Sequence, residues 1–326
     1  MDTKLNTTVN GTRPSNCSIC TDVGSGYSKA AKIGITFALS LILVVSLVGN
    51  LLIAIVVYRT KTLRRTVNYF IVNMAMSDLL FPLYIHPSFL IELYGDDIDV
   101  FSSQHSLAFC TVRLFFLYVT CLISVVNLVF LAVDRFAAVV FPLRPPLIRS
   151  KLCPYVIFST WLVLTAISTP AIFTNDYVYT GKLKCRWRTK ESSVKYYTYA
   201  MPIVICAISF VLIIILYFVI LFKLKTQTIP GEQSMNAVEK RIKMYRNVFK
   251  MVAAIVIAYI LCWVPYCVYI SLHVIVWDNA NFLSRDRNPF WFFAVFMIQT
   301  NCAINPCLCF TFSGNFRRGL KGLFWC

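Results

Sequence analysis

Asp134 and Arg135 stand side by side in Leu128-Val-Phe-Leu-Ala-Val-Asp-Arg-Phe-Ala-Ala-Val-Val-Phe-Pro142, a run that is otherwise nearly all apolar. Neighbouring charges of opposite sign can pair, and the plain reading is a salt bridge that lets a helix end meet lipid headgroups. Other polar residues keep equally apolar company: Asn50, Asp78, Ser124, Asn127, Gln299, Asn301 and Asn305. Polar groups at membrane depth are costly, and where a chain keeps them they mark function. Catalysis is not indicated. The 3 histidines, His86, His105 and His273, are scattered, with no metal-ligand cluster and no nucleophile–base motif.

The elements that must hold these residues are membrane spans. The chain has 326 residues, 58% hydrophobic and 14% charged, with a mean hydropathy of +0.70. Soluble domains are nearer ~45–50% apolar, and roughly 20 apolar residues cross a bilayer core of about 30 Å. Seven segments qualify, at about 32–58, 68–93, 110–141, 153–173, 196–224, 248–276 and 290–312. Pro82, Pro202, Pro265 and Pro306 lie inside them. Membrane helices tolerate such residues because neighbouring groups re-satisfy the freed backbone. The reading is an all-α membrane protein: an extracellular glycosylated segment over 1–31, a seven-transmembrane domain over 32–312, and a short cytoplasmic amphipathic helix and tail over 313–326. In the tail, basic residues alternate with Phe316, Leu320, Leu323 and Phe324, as suits a helix lying on a membrane face. Cys326 is a candidate for palmitoylation.

The net charge of +17 carries its meaning in where it sits. Arg59, Lys61, Arg64 and Arg65 follow the first span; Arg144, Arg149 and Lys151 follow the third; Lys223, Lys225, Lys240, Arg241, Lys243, Arg246 and Lys250 follow the fifth; Arg317, Arg318 and Lys321 follow the seventh. Positive residues favour the cytoplasmic side, so the N-terminus is expected outside and the C-terminus inside. Asn6, Asn10 and Asn16 each open a glycosylation sequon in the outer segment. The fourth loop breaks the pattern, because it is outside yet basic. There Val178-Tyr-Thr-Gly-Lys-Leu-Lys-Cys-Arg-Trp187 alternates about a Thr-Gly turn signal and reads as a β-hairpin.

Gly49-Asn50, Asn73-Met-Ala-Met-Ser-Asp78, Asp134-Arg135-Phe136, Trp161, Cys262-Trp263-Val264-Pro265 and Asn301-Cys-Ala-Ile-Asn305-Pro306 occur in that order, on the spans from first to seventh. Together they resemble the rhodopsin-like (class A) G-protein-coupled receptors, over the whole chain from the first span to the tail. The resemblance implies a seven-helix bundle in the plasma membrane with a short eighth helix. It implies that Asp134 holds Arg135 in the inactive state. On activation the Arg is released, and a cavity opened by the sixth helix receives a heterotrimeric G protein, with Pro142-Leu143 in the docking loop. Trp263, Pro265, Asn305 and Pro306 are the family's activation residues. Asp78, Ser124, Asn301 and Asn305, with Asn50 nearby, resemble the family's sodium site. A carboxylate with neutral oxygens suits a hard cation, and a hydrogen-bonded network with water is the alternative. No other cofactor or metal is expected. The family's disulfide corresponds to Cys110 with Cys185. The hairpin suggests the neuropeptide branch.

Three positions depart from the family pattern. Phe136 replaces the usual Tyr after the Asp-Arg pair, Cys309 replaces the Tyr that ends the seventh-span motif, and Phe210 falls eight residues after Pro202 where Tyr is usual. The last two losses imply altered basal activity, because those hydroxyls normally meet near the Arg through water; Tyr217, two helical turns past Phe210, is the alternative hydroxyl, though not the preferred one. Leu117 stands where amine receptors carry Asp, and Gln299 stands where opsins carry the retinal Lys. The expected pocket is lined by Leu117, Tyr118, Cys121, Trp263, Tyr266, Ile270, Trp291, Val295 and Gln299. Its rim carries both signs, with Glu92, Asp96, Asp97 and Asp99 against Arg113, Arg285, Arg287 and the hairpin. Such a rim suits a charged peptide. An anionic lipid or nucleotide is the second reading, with Arg113 and the basic loop as the anion site. A seven-helix transporter or channel is a third, disfavoured because no internal repeat or midplane break is seen. The short tail has only Thr311 and Ser313 as hydroxyls, so weak arrestin coupling is expected. The partners expected are the peptide, the G protein and membrane lipids, with no nucleic acid.

Overall fold

The computed structural model describes residues 27–94, 103–141, 144–173, 175–179, 183–187, 192–226, 235–275 and 289–324. In chain order the helices are α1 (Lys29–Arg59), α2 (Thr66–Tyr94), α3 (Ser103–Val140), α4 (Cys153–Ser168), α5 (Ser192–Thr226), α6 (Met235–Ile275), α7 (Pro289–Phe312) and α8 (Gly314–Phe324). Strands β1 (Asn175–Tyr179) and β2 (Leu183–Trp187) pair antiparallel between α4 and α5, with Tyr177 opposite Cys185. The expected hairpin is present, its first strand beginning slightly earlier. The side chains of Cys110 and Cys185, the sequons at Asn6, Asn10 and Asn16, the Pro142-Leu143 pair and Cys326 lie outside the described residues.

Among the described residues, six helices are long and apolar enough to span a membrane; α4, with 16 residues, is shorter. It runs directly into a 3-10 turn at Thr169–Phe173. At 1.5 Å and 2.0 Å of rise per residue the two together cover about 34 Å, enough for a bilayer core. The fourth span is therefore α4 plus its turn, which brings the number of spans to seven among the described residues. Elsewhere the helices outrun the apolar segments: α6 starts at Met235 rather than near Val248, and α3 at Ser103 rather than Cys110. Hydropathy marks the part of a helix that sits in lipid. The backbone hydrogen bonds continue until something breaks them.

α3 and α7 form the middle of the bundle, with 61% of each span buried, whereas α5 has 22% and lies at the edge. Outward-facing Phe37 and Leu41 on α1, Phe158 on α4, and Phe218 and Phe222 on α5 remain exposed. A lipid solvent makes that exposure inexpensive. Hydroxyls within the spans bond back to their own helix, as Thr120 Oγ1 does to Phe116 O at 2.6 Å and Thr300 Oγ1 to Phe296 O at 2.8 Å.

Two glycines set helix spacing. A Cβ on Gly49 would lie 2.6 Å from Pro306 Cγ, so α1 and α7 touch there. A Cβ on Gly319 would lie 2.7 Å from Val56 Cγ1, where α8 lies against α1. Ser313 caps α8, and Phe316 is buried while Arg317, Arg318 and Lys321 point outward. This is the amphipathic helix expected from the tail.

Candidate functional site

The polar and aromatic residues singled out in the sequence fall at three heights along the bundle. Toward the hairpin end, α6 and α7 contribute a continuous series of rings. Trp291 lies 6.0 Å from Tyr266 between ring centroids, Tyr266 lies 6.1 Å from Trp263, and Trp263 stacks on Tyr259 at 5.6 Å. Tyr259 then meets Phe210 of α5 at 5.8 Å and donates its hydroxyl to Cys121 O of α3 at 3.2 Å. Phe81 of α2 closes on Trp263 edge-on at 6.3 Å. Leu117, Cys121, Trp263, Trp291, Val295 and Gln299 are buried, while Tyr118, Tyr266 and Ile270 are half-buried. Arg113 is half-buried too. The Glu92 side chain and the rest of the charged rim, Asp96, Asp97, Asp99, Arg285 and Arg287, fall outside the described residues.

Sequence reasoning missed one residue at this height. His86 of α2, set aside as scattered, is 5% exposed and its Nδ1 lies 3.2 Å from Gln299 Oε1 across the bundle. A histidine within an apolar span is itself a signal by the membrane-depth rule. Two buried donors here, Gln299 Nε2 and Trp263 Nε1, have no partner among the described residues.

At mid-height the polar residues do converge. Asn305 Nδ2 donates to Asp78 Oδ2 at 2.7 Å. Asn50 Nδ2 donates to Ser46 O and to Cys302 O, each at 2.9 Å. Two of its partners are carbonyls, with Ser46 Oγ a longer third at 3.4 Å, so the amide nitrogen must face them and Oδ1 is left over. Asn50 Oδ1 and Asn301 Oδ1 are buried without a donor among the described residues. Ser46 Oγ, which the sequence reading passed over, bonds to Asp78 O at 3.2 Å. Ser124 is not bonded to Asp78 here; its Oγ pairs with Ser77 Oγ at 3.0 Å. A neighbouring chain runs from Trp161 Nε1 to Asn73 Oδ1 and from Asn73 Nδ2 to Asn127 Oδ1, each at 2.8 Å. It ties α4 to α2 and α3.

Toward the α8 end, Arg135 directs Nε and Nη2 onto a single oxygen, Asp134 Oδ2, with the Nε bond at 3.1 Å. Each side chain is 14% exposed, so the pair is shielded without being sealed. Phe136 packs edge-on against Phe141. The fifth helix differs from expectation. Phe210 is not beside Arg135; it packs against Tyr259 at the height of the ring series. Tyr217, two turns along, has a buried hydroxyl that feels the Arg135 charge. Pro202 was a misleading ruler, because it placed the helix about two turns out of register with its neighbours. Cys309 is fully buried in α7.

The profile of the family described as "7 transmembrane receptor (rhodopsin family)" matches residues 49–308. The chain belongs to that family. It is a multi-pass membrane protein of a receptor family. Among curated relatives, this rhodopsin-family receptor is 26% identical over 293 residues to the RYamide receptor of Drosophila melanogaster, covering 86% of this chain and 61% of the relative. It is 26% identical over 300 residues to the neuromedin-K receptor of Homo sapiens, covering 89% and 62%. To the substance-P receptor of Aquarana catesbeiana it is 25% identical over 299 residues, covering 89% and 70%. The chain thus spans about six-tenths of the length of the first two relatives.

Proposed function

We propose that this receptor is activated by an extracellular peptide and signals through a heterotrimeric G protein, with its N-terminus outside and the Asp134–Arg135 end in the cytoplasm. The similarity to receptors named for RYamide, neuromedin-K and substance P, each over more than four-fifths of this chain, carries the ligand class. The aromatic, uncharged interior and the basic hairpin agree with it. A ligand seated above the ring series meets Trp291 and Tyr266, and any movement there passes through Trp263 and Tyr259 to α5 and α3. α6 is the helix able to respond, because Pro265, between Trp263 and Tyr266 in sequence, interrupts its hydrogen bonding. Opening its α8-side end frees Arg135 from Asp134, and Tyr217 stands ready beside it. An agonist that prefers the open form shifts the population toward it, and a bound G protein raises agonist affinity by the same factor.

A sodium ion fits the mid-height site. Asp78 supplies the carboxylate, and the leftover oxygens of Asn50 and Asn301 are what a hard cation takes. The ion would neutralise a buried charge and hold α1, α2 and α7 together.

Signalling in cells exposed to pooled neuropeptides tests the reading, with Arg135→Ala as the control. A peptide-dependent response lost in the variant supports it. Silence to every peptide, with surface expression shown and a response to lipids or nucleotides, overturns the peptide assignment in favour of the anionic ligand.

A further inference from the structure

Three thiols from three helices meet where the ring series crosses from α6 to α5 and α3. Cys121 of α3 and Cys206 of α5 are 5% and 7% exposed and belong to one packed core with Tyr259 and Trp263. Cys206 precedes Phe210 by one turn, on the face that packs against Tyr259. Cys267 of α6 follows Trp263 by one turn and is half-buried. All three are free thiols. Cys121 and Cys206 interact side chain to side chain, and Cys267 lies close enough to Cys206 for a charge on one to be felt by the other. Tyr259 completes the group. Its hydroxyl donates to Cys121 O at 3.2 Å and lies 3.7 Å from Cys121 Sγ. With that proton committed to the carbonyl, the Tyr259 oxygen is the acceptor for the Cys121 thiol. The activation scheme uses Tyr259 as a ring and makes no use of the thiols.

We propose that Cys121 and Cys206 form a reversible disulfide that clasps α3 to α5. A lone buried thiol is a small packing residue. A thiol beside a second thiol has a resolving partner, which turns oxidation into a reversible bond instead of damage. The oxidant is a peroxide, and hydrogen peroxide is small and uncharged enough to enter past Cys267. It oxidises the Cys206 thiol to a sulfenic acid: the O–O bond breaks and one water leaves. The Cys121 sulfur then attacks the Cys206 sulfur and the S–S bond forms. The Cys121 proton passes by way of Tyr259 to the departing hydroxyl, which leaves as the second water. Two thiols are oxidised by two electrons and one peroxide is reduced. Under the orientation proposed above, this end of the bundle opens to the outside, where disulfides persist. The contact between the thiols does not rest on that orientation. Once closed, the clasp fixes the junction at which movement of Trp263 and Tyr259 reaches α5 and α3.

Receptor in nanodiscs, without ligand or G protein, tests the clasp apart from signalling. It is treated with hydrogen peroxide, blocked with N-ethylmaleimide and digested without reduction. Mass spectrometry should find the peptides of Cys121 and Cys206 joined, and dithiothreitol should part them. The link should vanish in Cys206→Ala and in Cys121→Ala, and persist in Cys267→Ser and in Cys307→Ser, the last being an exposed thiol of α7. The melting temperature of the unaltered receptor should rise by a few degrees on oxidation and return on reduction, because a cross-link restricts the unfolded chain. Cys206→Ala should melt alike in both states. The peptide map of the unaltered receptor needs no variant to fold. Unlinked Cys121 and Cys206, with Cys307 oxidised in the same sample, overturn the proposal. So does a link from Cys206 to Cys267 in its place. A Cys121–Cys206 link that leaves melting unchanged overturns the clasp.

Discussion

The ring series near the hairpin end and the polar cluster around Asp78 lie close together along the same helices, yet their leftover chemistry is opposite. The rings leave donors over: Trp263 Nε1 and Gln299 Nε2 are buried with no acceptor among the described residues. The polar cluster leaves acceptors over, at Asn50 Oδ1 and Asn301 Oδ1, and holds the buried Asp78 carboxylate; the neighbouring chain leaves one donor, Asn127 Nδ2. An unmet buried group costs about 1–3 kcal/mol, so a ligand that met these atoms would gain by it. Under the function proposed above, a peptide carbonyl would meet the donors of the upper region and a cation the acceptors of the middle one.

The largest effect is expected from Asp78→Ala. It strands the Asn305 amide and removes the charge, costing about 1–3 kcal/mol. Sodium chloride should raise the melting temperature of the unaltered receptor above its value in choline chloride, and the variant should melt alike in both salts. Identical melting of the unaltered receptor in the two salts would leave the polar cluster as a water-filled network.

Gly49→Val comes next. The side chain has no room against Pro306 at 2.6 Å, and overpacking of this kind costs roughly 1–3 kcal/mol. The melting temperature should fall, and the sodium increment should shrink with it, because Asn50 reaches α7 only through this close approach. If the increment survives intact, Asn50 is not part of the cation site.

Trp263→Phe sharpens the upper half of the comparison. It deletes the unmet donor and keeps a ring against Tyr259. Stability of the ligand-free receptor should hold or rise by up to about 1 kcal/mol, while agonist affinity falls by roughly the value of one hydrogen bond, about 0.5–1.5 kcal/mol. Melting curves and competition binding read the two separately. Loss of stability without loss of affinity would mean that the indole is only packing.

The smallest change in stability belongs to Tyr217→Phe, which should leave melting and G-protein-free agonist binding nearly unaltered. Its mark should be a lower maximal response, read as nucleotide exchange on the G protein, if Tyr217 receives the freed Arg135. Phe210→Tyr should not restore that response, since Phe210 faces Tyr259.

Much of this molecule was legible as sequence. The spans, the amphipathic α8 and the hairpin follow from hydropathy, periodicity and turn residues, all of which are local. The ordered motif residues likewise announced the family. Even so, reading the fifth helix from Pro202 put Phe210 beside the Asp-Arg pair and left Tyr217 as a second choice; packing against α3 and α6 decided for Tyr217. The rotation of a lipid-facing helix is set by its neighbours, and a run such as Phe210-Val-Leu-Ile-Ile-Ile-Leu-Tyr217 is apolar all round and carries no stripe to fix it.

Composition and local pattern by themselves determined that this chain crosses a membrane, how often, and which few polar residues it keeps there. Tertiary structure alone decided which of those residues meet and which atoms they leave unmet. The bonds that settle it span 213 residues between His86 and Gln299, 227 between Asp78 and Asn305, and 252 between Asn50 and Cys302. Over such separations no local rule reaches, and the outcome rests on how closely helices approach, as Gly49 lets α1 approach Pro306.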